Sequence, residues 1–279
     1  METSNKQAYP QLSALFEREE ANIDLVEAAL VIAAEHHPEL DIAACHAQIE
    51  KLTNRAREHI DLKQTGSEIG QALCDFLYRE SNYRGDHDDY YNPDNSYLDR
   101  VLQRRKGIPI TLALVYLSVG KNLGLKIEPV GFPGHFLVKL ISDENVLLDP
   151  FSGQVLSEDD CRELLKSGTG DAVPYRPELL NAVSAREVVR RILGNLKNIY
   201  LGRNELDEAL RICDQLLVIS KYSPRELLDR AFLLEKMDCY SAAVVDLEYL
   251  LAQMPPPQVD KVLREKISNL RGRGSNKLH

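Results

Sequence analysis

The chain has 279 residues, which is enough for one large domain or two modest ones. Its 43 acidic and 34 basic residues give a net charge of -9, and this argues against a nucleic-acid partner because such binders usually carry a basic excess or stripe. The two short basic clusters, residues 104–106 and 190–191, are flanked by acidic residues and are predicted to be solvated helix faces.

The sequence also gives no indication of secretion or of a membrane span. Residues 1–13 contain neither a basic nor an apolar segment, so no signal peptide is expected. The apolar run at residues 108–119 is too short to cross a bilayer. The five scattered cysteines form no CxxC pair, and we expect them to be reduced and mostly buried. These features predict a cytoplasmic protein without a metal or a cofactor.

The amino-terminal part of the chain, residues 1–94, is predicted to be mainly helical. Asn22 can cap the first helix, which ends where Pro38 disfavours helix in the residue before it. Thr65 or Ser67 is expected to cap the third helix. The predicted helices span residues 22–37, 41–60 and 67–78.

Residues 79–94 are predicted to form an exposed acidic loop, because Asn, Asp, Gly and Pro dominate their composition. His87 among aspartates is compatible with a metal site. Such a site needs ligands that packing holds in place, so the loop interpretation is preferred.

Two further helices follow the loop. Ser96 and Asp99 have capping-box spacing at the start of the first, and Gly107 stands where a left-handed residue would end it. Pro109 opens the second helix, where its missing N–H costs nothing, and Gly124 ends it. This second helix is apolar nearly all round, which predicts that it is buried in the core.

A small antiparallel sheet is expected after these helices. The turn sequence SDEN joins its second and third strands. The predicted strands are residues 126–130, 135–141 and 146–149. A short helix at residues 157–166 and a linker at residues 167–178 follow.

The last third of the sequence repeats itself. After 34 residues Ala209 aligns with Ala243 and Leu216 with Leu250, and this period is typical of tetratricopeptide repeats. The small side chains of Ala209 and Ala243 allow paired helices to approach closely. Such repeats predict a protein or peptide partner.

The predicted domain organisation therefore has two parts. Residues 1–182 form the first, with a helical region at 1–94 and a core at 95–168. Residues 183–279 form the second, with repeats at about 190–223 and 224–257, a closing helix at about 259–270 and a disordered tail.

The order of residues around the sheet is that of a thiol acyl-transfer site. Such a site has a nucleophile at a helix start, followed by an imidazole that a carboxylate orients. His135 and Asp149 occupy successive predicted strands, and they can share a face only if paired residue numbers sum to an even value. No cysteine stands at the helix start.

Four motifs in this region, NSYL, RRKGIPITLALVYL, GFPGHFLVKL and LLDPFSG, together with the repeats, resemble the bacterial SirB-type family of transglutaminase-like, tetratricopeptide-containing proteins. The resemblance covers nearly the whole chain. It implies an α+β fold: a helical amino-terminal region, a papain-like core with a small antiparallel sheet, and an all-α repeat region. It implies no established reaction.

The resemblance to the wider superfamily extends to single residues. His135 matches the catalytic histidine and Asp149 the catalytic aspartate, whereas Pro109 occupies the position of the catalytic cysteine. The positions that fit the superfamily's helix are Gly107, Ala113, Leu123 and Gly124.

No other residue is expected to replace the missing nucleophile. Thr111 lies about 200° around the helix from Pro109 and should face elsewhere, at the helical spacing of 3.6 residues per turn. Cys74 and Cys161 are explained as core or surface-helix residues. The candidate binding residues of the groove are His135, Asp149, Asn95, Tyr97 and Phe132.

Two functions remain compatible with the sequence. The first is a non-catalytic interaction protein, a pseudoenzyme whose groove and repeats bind a protein or peptide. The second is an amidase-like or deamidase-like hydrolase in which His135, oriented by Asp149, acts as a general base on water.

Overall fold

The computed structural model describes residues 9–20, 23–170, 172–220, 223–253 and 257–276. Its α-helices in the first half of the chain are α1 (Pro10–Phe16), α2 (Leu25–His36), α3 (Ile42–His59), α4 (Gly66–Cys74), α5 (Leu98–Arg104) and α6 (Pro109–Asn122). Those in the second half are α7 (Glu158–Thr169), α8 (Ala185–Gly202), α9 (Leu206–Ile219), α10 (Pro224–Lys236), α11 (Tyr240–Ala252) and α12 (Pro257–Asn276).

Two sheets accompany the helices. A two-stranded parallel sheet pairs β1 (Arg84–Gly85) with β2 (Lys106–Gly107). A four-stranded antiparallel sheet has the order β3 (Ile127–Val130), β4 (Leu137–Leu140), β5 (Val146–Asp149) and β6 (Gln154–Leu156). The predicted α+β class is confirmed, with a fourth strand in the larger sheet that the sequence did not indicate.

The helix α6 lies at the centre of the core, as its apolar sequence predicts. It packs against α3 and against strands β3 and β4. Cys161 and Leu165 of α7 pack with Val130 and Leu137 of the sheet in a second apolar cluster. The larger sheet therefore has helices packed against both β3 and β4.

In the repeat region, helices α9 to α12 each pack against the next helix along the chain. Helix α11 begins 34 residues after α9, and Ala209 and Ala243 at equivalent positions are both fully buried. One core cluster joins α10, α11 and α12, with Leu227, Leu247 and Leu270 among its residues. The 34-residue period thus describes a stacked set of helices.

The described chain divides into two units. One contains Arg18–Ile192, and the other contains the described residues up to Glu17 and those from Leu193 onward. The division falls within α8, so residues 183–192, which the sequence assigned to the repeats, belong to the first unit. Helix α1 belongs to the repeat unit, where it packs against α9.

Several local predictions need correction. Tyr97, not Ser96, is the N-cap of α5, and Asp99 accepts a hydrogen bond from His37 instead of closing a capping box. Arg105 adopts the left-handed conformation predicted for Gly107, with φ of 58°. At Asp99, a hydrogen bond to the distant His37 replaces the predicted local capping bond. At the end of α5, the polar residue Arg105 takes the left-handed conformation that was expected of a glycine.

The termini of the predicted elements also differ. The predicted cap Asn22 lies outside the described residues, and Asp24 caps α2 by accepting from the N–H groups of Val26 and Glu27. Helix α12 extends to Asn276, so residues 271–276 are helical and not part of a disordered tail. Of the two predicted caps for α4, Thr65 and Ser67, the structure shows Thr65, which forms a capping box with Glu68.

None of the helices in the described part of the chain combines the length and the apolarity needed to cross a bilayer.

Candidate functional site

His135 is presented by a tight turn that precedes β4. Its N–H donates to the carbonyl of Phe132 at 3.1 Å, and Gly134 adopts a φ of +71°, a conformation that glycine takes without steric cost. The strand itself begins at Leu137, two residues later than predicted. The backbone of His135 therefore belongs to the turn and not to the strand.

Asp149 ends β5 and accepts three hydrogen bonds. They come from Nε2 of His135 at 2.8 Å, from the hydroxyl of Ser152 at 2.7 Å and from the N–H of Phe151 at 2.9 Å. Strands β4 and β5 pair with even-sum residue numbers, as Val138 does with Leu148. This is the register that the sequence analysis required for the pair to meet.

The electrostatics of the pair keep Asp149 ionised at neutral pH. Burial alone would raise the pKa of this carboxyl. The hydrogen bond and charge of His135, with the bonds from Ser152 and Phe151, bring the pKa below its ordinary value. The side chains of His135 and Asp149 are only 12% and 6% exposed, so water weakens their interaction little.

One ring nitrogen of His135 is left available. Nε2 contacts Asp149, and Nδ1 forms no hydrogen bond with any described residue. An imidazole that a carboxylate holds on one side has its other nitrogen free to accept a proton or to contact a ligand. The arrangement can therefore serve either general-base chemistry or binding.

Arg191 on α8 fixes the turn that carries His135. Its guanidinium donates to the carbonyl oxygens of Gly131 at 2.8 Å, Phe132 at 3.3 Å and His135 at 3.4 Å. Glu187 accepts a further bond from Nε of Arg191 at 3.4 Å. The prediction that residues 190–191 form a solvated face is wrong for Arg191, because its guanidinium binds three carbonyl groups that lie about 60 residues earlier in the chain.

Helix α6 begins with a proline at the position where the superfamily resemblance places the nucleophile. Pro109 is the first residue of α6 and is buried. The Thr111 hydroxyl is also buried and donates to the carbonyl of Asn95 at 2.6 Å, which agrees with the prediction that it faces elsewhere. The start of α6 is thus a structural helix start without a thiol or an available hydroxyl.

The two cysteines considered as substitutes are inert. Burial, with the negative charges of Asp75 and Asp149, raises the pKa of the Cys74 thiol to about 12. Burial and the nearby Asp160 raise the pKa of Cys161 to about 11. Both residues are fully buried, as predicted, and neither supplies a thiolate at neutral pH.

Three of the predicted binding residues are buried. Asn95, Tyr97 and Phe132 are at most 2% exposed, so their side chains do not reach solvent. The amide of Asn95 donates to the carbonyl of Asp89 at 2.7 Å, and Tyr97 packs edge-on against His37 at 4.8 Å. Of the five predicted residues, the structure brings together only His135 and Asp149 in hydrogen-bonding contact.

The acidic loop at residues 79–94 is only partly exposed. Asp86 is 2% exposed and pairs with Arg104 at 3.2 Å and Lys106 at 3.4 Å, whereas the side chain of Asp88 is 91% exposed. Within the described residues, no group of three His, Cys, Asp or Glu side chains is placed to hold a metal ion. The buried carboxylate of Asp86 therefore anchors the loop through ion pairs with the partly exposed Arg104 and Lys106.

Comparison with known proteins agrees with this architecture. Residues 43–194 match the model of the transglutaminase-like superfamily, and residues 196–270 match a tetratricopeptide-repeat model. A UPF0162 protein of Xylella fastidiosa (strain 9a5c) is 32% identical over 251 residues, which cover 88% of this chain and 89% of the relative. The chain belongs to the UPF0162 family of the transglutaminase-like superfamily.

Other relatives of this UPF0162 member include the protein for which the SirB type is named. SirB1 of Salmonella typhimurium is 27% identical over 225 residues, covering 80% of this chain and 84% of SirB1. UPF0162 protein PA3419 of Pseudomonas aeruginosa is 31% identical over 255 residues, covering 91% and 94%. The predicted family is thereby confirmed.

A solved structure, that of menin, aligns with 92% of this UPF0162 member and 73% of menin, with a TM-score of 0.44 and 12% identity. At that distance the likeness gives no information about function.

Proposed function

We propose that this UPF0162 protein works in the cytoplasm by binding a protein or peptide through its tetratricopeptide-like repeats, without covalent catalysis in its transglutaminase-like domain. The observation that carries the proposal is that α6 begins with Pro109, where the superfamily resemblance places the catalytic cysteine. The five free cysteines support a reducing compartment.

The repeats contain an exposed apolar pair that suits this role. Leu228 and Phe232 on α10 are 44% and 68% exposed and lie one helical turn apart. Large apolar side chains at this spacing are typical anchors for a helix or an extended peptide. The pair is therefore the part of the repeats that we expect to contact a partner.

The expected result is that Leu228→Ala/Phe232→Ala abolishes capture of the partner that the full chain retains from native lysate. Leu62→Ala is a matched control, because Leu62 is 46% exposed but lies in the other unit. Point variants are preferred to truncation after residue 182, which would remove residues 183–192 from the first unit. Capture that the double variant leaves intact would contradict the proposal, as would ammonia release from glutamine donors by the wild type.

A second function, hydrolysis of an amide by activated water, is favoured by one observation: Nδ1 of His135 is available while Asp149 holds Nε2. If this function is the true one, His135→Ala should lower hydrolysis by about 10²–10⁴-fold, the usual contribution of a general base. Cys74→Ala should retain it. A screen of amide substrates measures both, and activity that survives His135→Ala would exclude this chemistry.

A further inference from the structure

A row of aromatic rings runs from the acidic loop to the pair of His135 and Asp149. The rings of Tyr91 and Tyr90 lie 5.3 Å apart, and that of Tyr90 lies 6.0 Å from Phe151. Phe151 in turn contacts His87 at 4.6 Å and His135 at 6.0 Å. All of these residues belong to the unit Arg18–Ile192.

The outer part of this row is open to solvent. Tyr91 is 72% exposed and Tyr90 is 39% exposed, whereas aromatic side chains such as Tyr97 and Phe132 are buried. Aromatic groups left on a surface are frequent contact residues in recognition sites. The row therefore does not serve mainly to fill the core.

The loop that carries the row has more acidic than basic residues. Between residues 84 and 94 the sequence has four aspartates and one arginine. Of the basic groups that face the loop, Arg104 and Lys106 approach the buried Asp86 at 3.2 and 3.4 Å, more closely than they approach Asp94 at 3.7 Å and Asp88 at 3.6 Å. The carboxylate of Asp88 lies 3.6 Å from Nζ of Lys106 and is 91% exposed, so a ligand can reach it from the solvent.

Aromatic faces next to carboxylates favour one class of ligand. A guanidinium or ammonium group is attracted to the face of an aromatic ring and also pairs with a carboxylate, and arginine combines both contacts best. An acidic segment would be repelled by the same aspartates. Because two ring-to-ring steps separate Tyr91 from Phe151, the row is longer than one side chain and fits an extended segment.

We infer that the surface formed by His87, Asp88, Tyr90, Tyr91 and Phe151 binds an extended, arginine-containing basic peptide segment of a partner protein. This loop surface lies outside the repeats, and the inference rests on the proposed binding role only in that both concern protein partners. It assigns to the transglutaminase-like domain a recognition surface of its own, next to the retained His135.

The test is a fluorescence-anisotropy titration of the full chain with a labelled peptide of five Arg-Ser repeats, beside a matched peptide of five Glu-Ser repeats. We expect saturable binding of the basic peptide only, weakened by salt. Tyr91→Ala should weaken it about tenfold and Asp88→Asn several-fold, which is the size of a cation–π or partly exposed ionic contact. Both side chains are exposed, so neither change should unfold the protein.

Two control variants separate this inference from its alternatives. Asp159→Asn removes an equally exposed carboxylate, 91% in each case, from α7 and should leave binding unchanged. Phe232→Ala should also leave it unchanged, although it is expected to impair capture by the repeats. Absence of saturable binding, or equal loss in Asp88→Asn and Asp159→Asn, would overturn the inference. Loss in Phe232→Ala alone would place the basic-peptide site in the repeats and overturn it as well.

Discussion

Replacing Arg230 by methionine should lower the free energy of unfolding by about 3–5 kcal/mol, the usual cost of leaving a buried charge without its partner. Nε and one terminal nitrogen of Arg230 donate to the two carboxylate oxygens of Asp246 at 2.8 and 2.6 Å, and the other terminal nitrogen donates to Asp214. The side chain of Asp246 is 1% exposed and that of Arg230 is 10% exposed. Methionine keeps the apolar volume but leaves Asp246 buried and unpaired.

The protonation behaviour of this group is consistent with a strong pair. Burial alone would lower the pKa of Arg230, but the hydrogen bonds and charges of Asp246 and Asp214 raise it above its ordinary value. The guanidinium therefore remains charged throughout the accessible pH range. The expected loss of unfolding free energy in Arg230→Met therefore comes from leaving the Asp246 carboxylate buried without a partner, and not from a change in the protonation of Arg230.

Urea denaturation followed by helical circular dichroism measures this effect. Arg264→Ala is the control within the same unit, because its bond to Asp260 on α12 joins side chains that are 65% and 32% exposed. We expect the control to unfold like the wild type. The double variant Arg230→Met/Asp246→Leu should recover much of the loss, since it removes both charges. A single variant as stable as the wild type would show that the pair contributes little.

The sequence predicted those features that depend on local periodicity. The apolar spacing of α6 and the 34-residue offset between α9 and α11 are confirmed, and the register of β4 and β5 meets the even-sum condition for contact between His135 and Asp149. Each follows from the geometry of a single element or of two neighbouring elements, so the printed sequence contains the necessary information.

Features that depend on distant contacts were not predictable in this way. Arg191 looks like a surface residue by its neighbours in sequence, yet it binds three carbonyl groups of a turn about 60 residues earlier. Asp86 stands in a polar loop but is buried by Arg104 and Lys106. A long-range ion pair of this kind gives no periodic signal, so only the structure reveals it.

The candidate site was predictable only where it depends on neighbouring strands. His135 and Asp149 lie on adjacent antiparallel strands or next to them, and their contact follows from strand order and register. Asn95, Tyr97 and Phe132 belong to the same motifs, but they are buried in the supporting structure. Membership in a sequence motif therefore did not indicate which of these side chains hydrogen-bond to each other.

The second large expected effect is on the pKa of a cysteine introduced at position 109, where the superfamily resemblance places the nucleophile. Pro109→Cys should give a thiol whose pKa lies below the ordinary value of about 8.5, because position one of α6 faces the positive end of the helix dipole and the imidazole of His135 is expected beside it. Burial at this position acts in the opposite direction. Comparing Pro109→Cys with Pro109→Cys/His135→Ala cancels the effect of burial on the pKa of the thiol, since the cysteine is similarly buried in both variants.

The most direct test of our central claim, that Pro109 stands where a thiol enzyme of this fold has its nucleophile, is a pH titration of Pro109→Cys by thiolate ultraviolet absorbance. Cys239→Ala provides the background, because Cys239 is the exposed native cysteine and the other four are buried. We predict a depressed pKa that rises by about one unit or more when His135 is also replaced by alanine, the size expected from loss of a nearby imidazolium. An identical titration with and without His135 would contradict the claim.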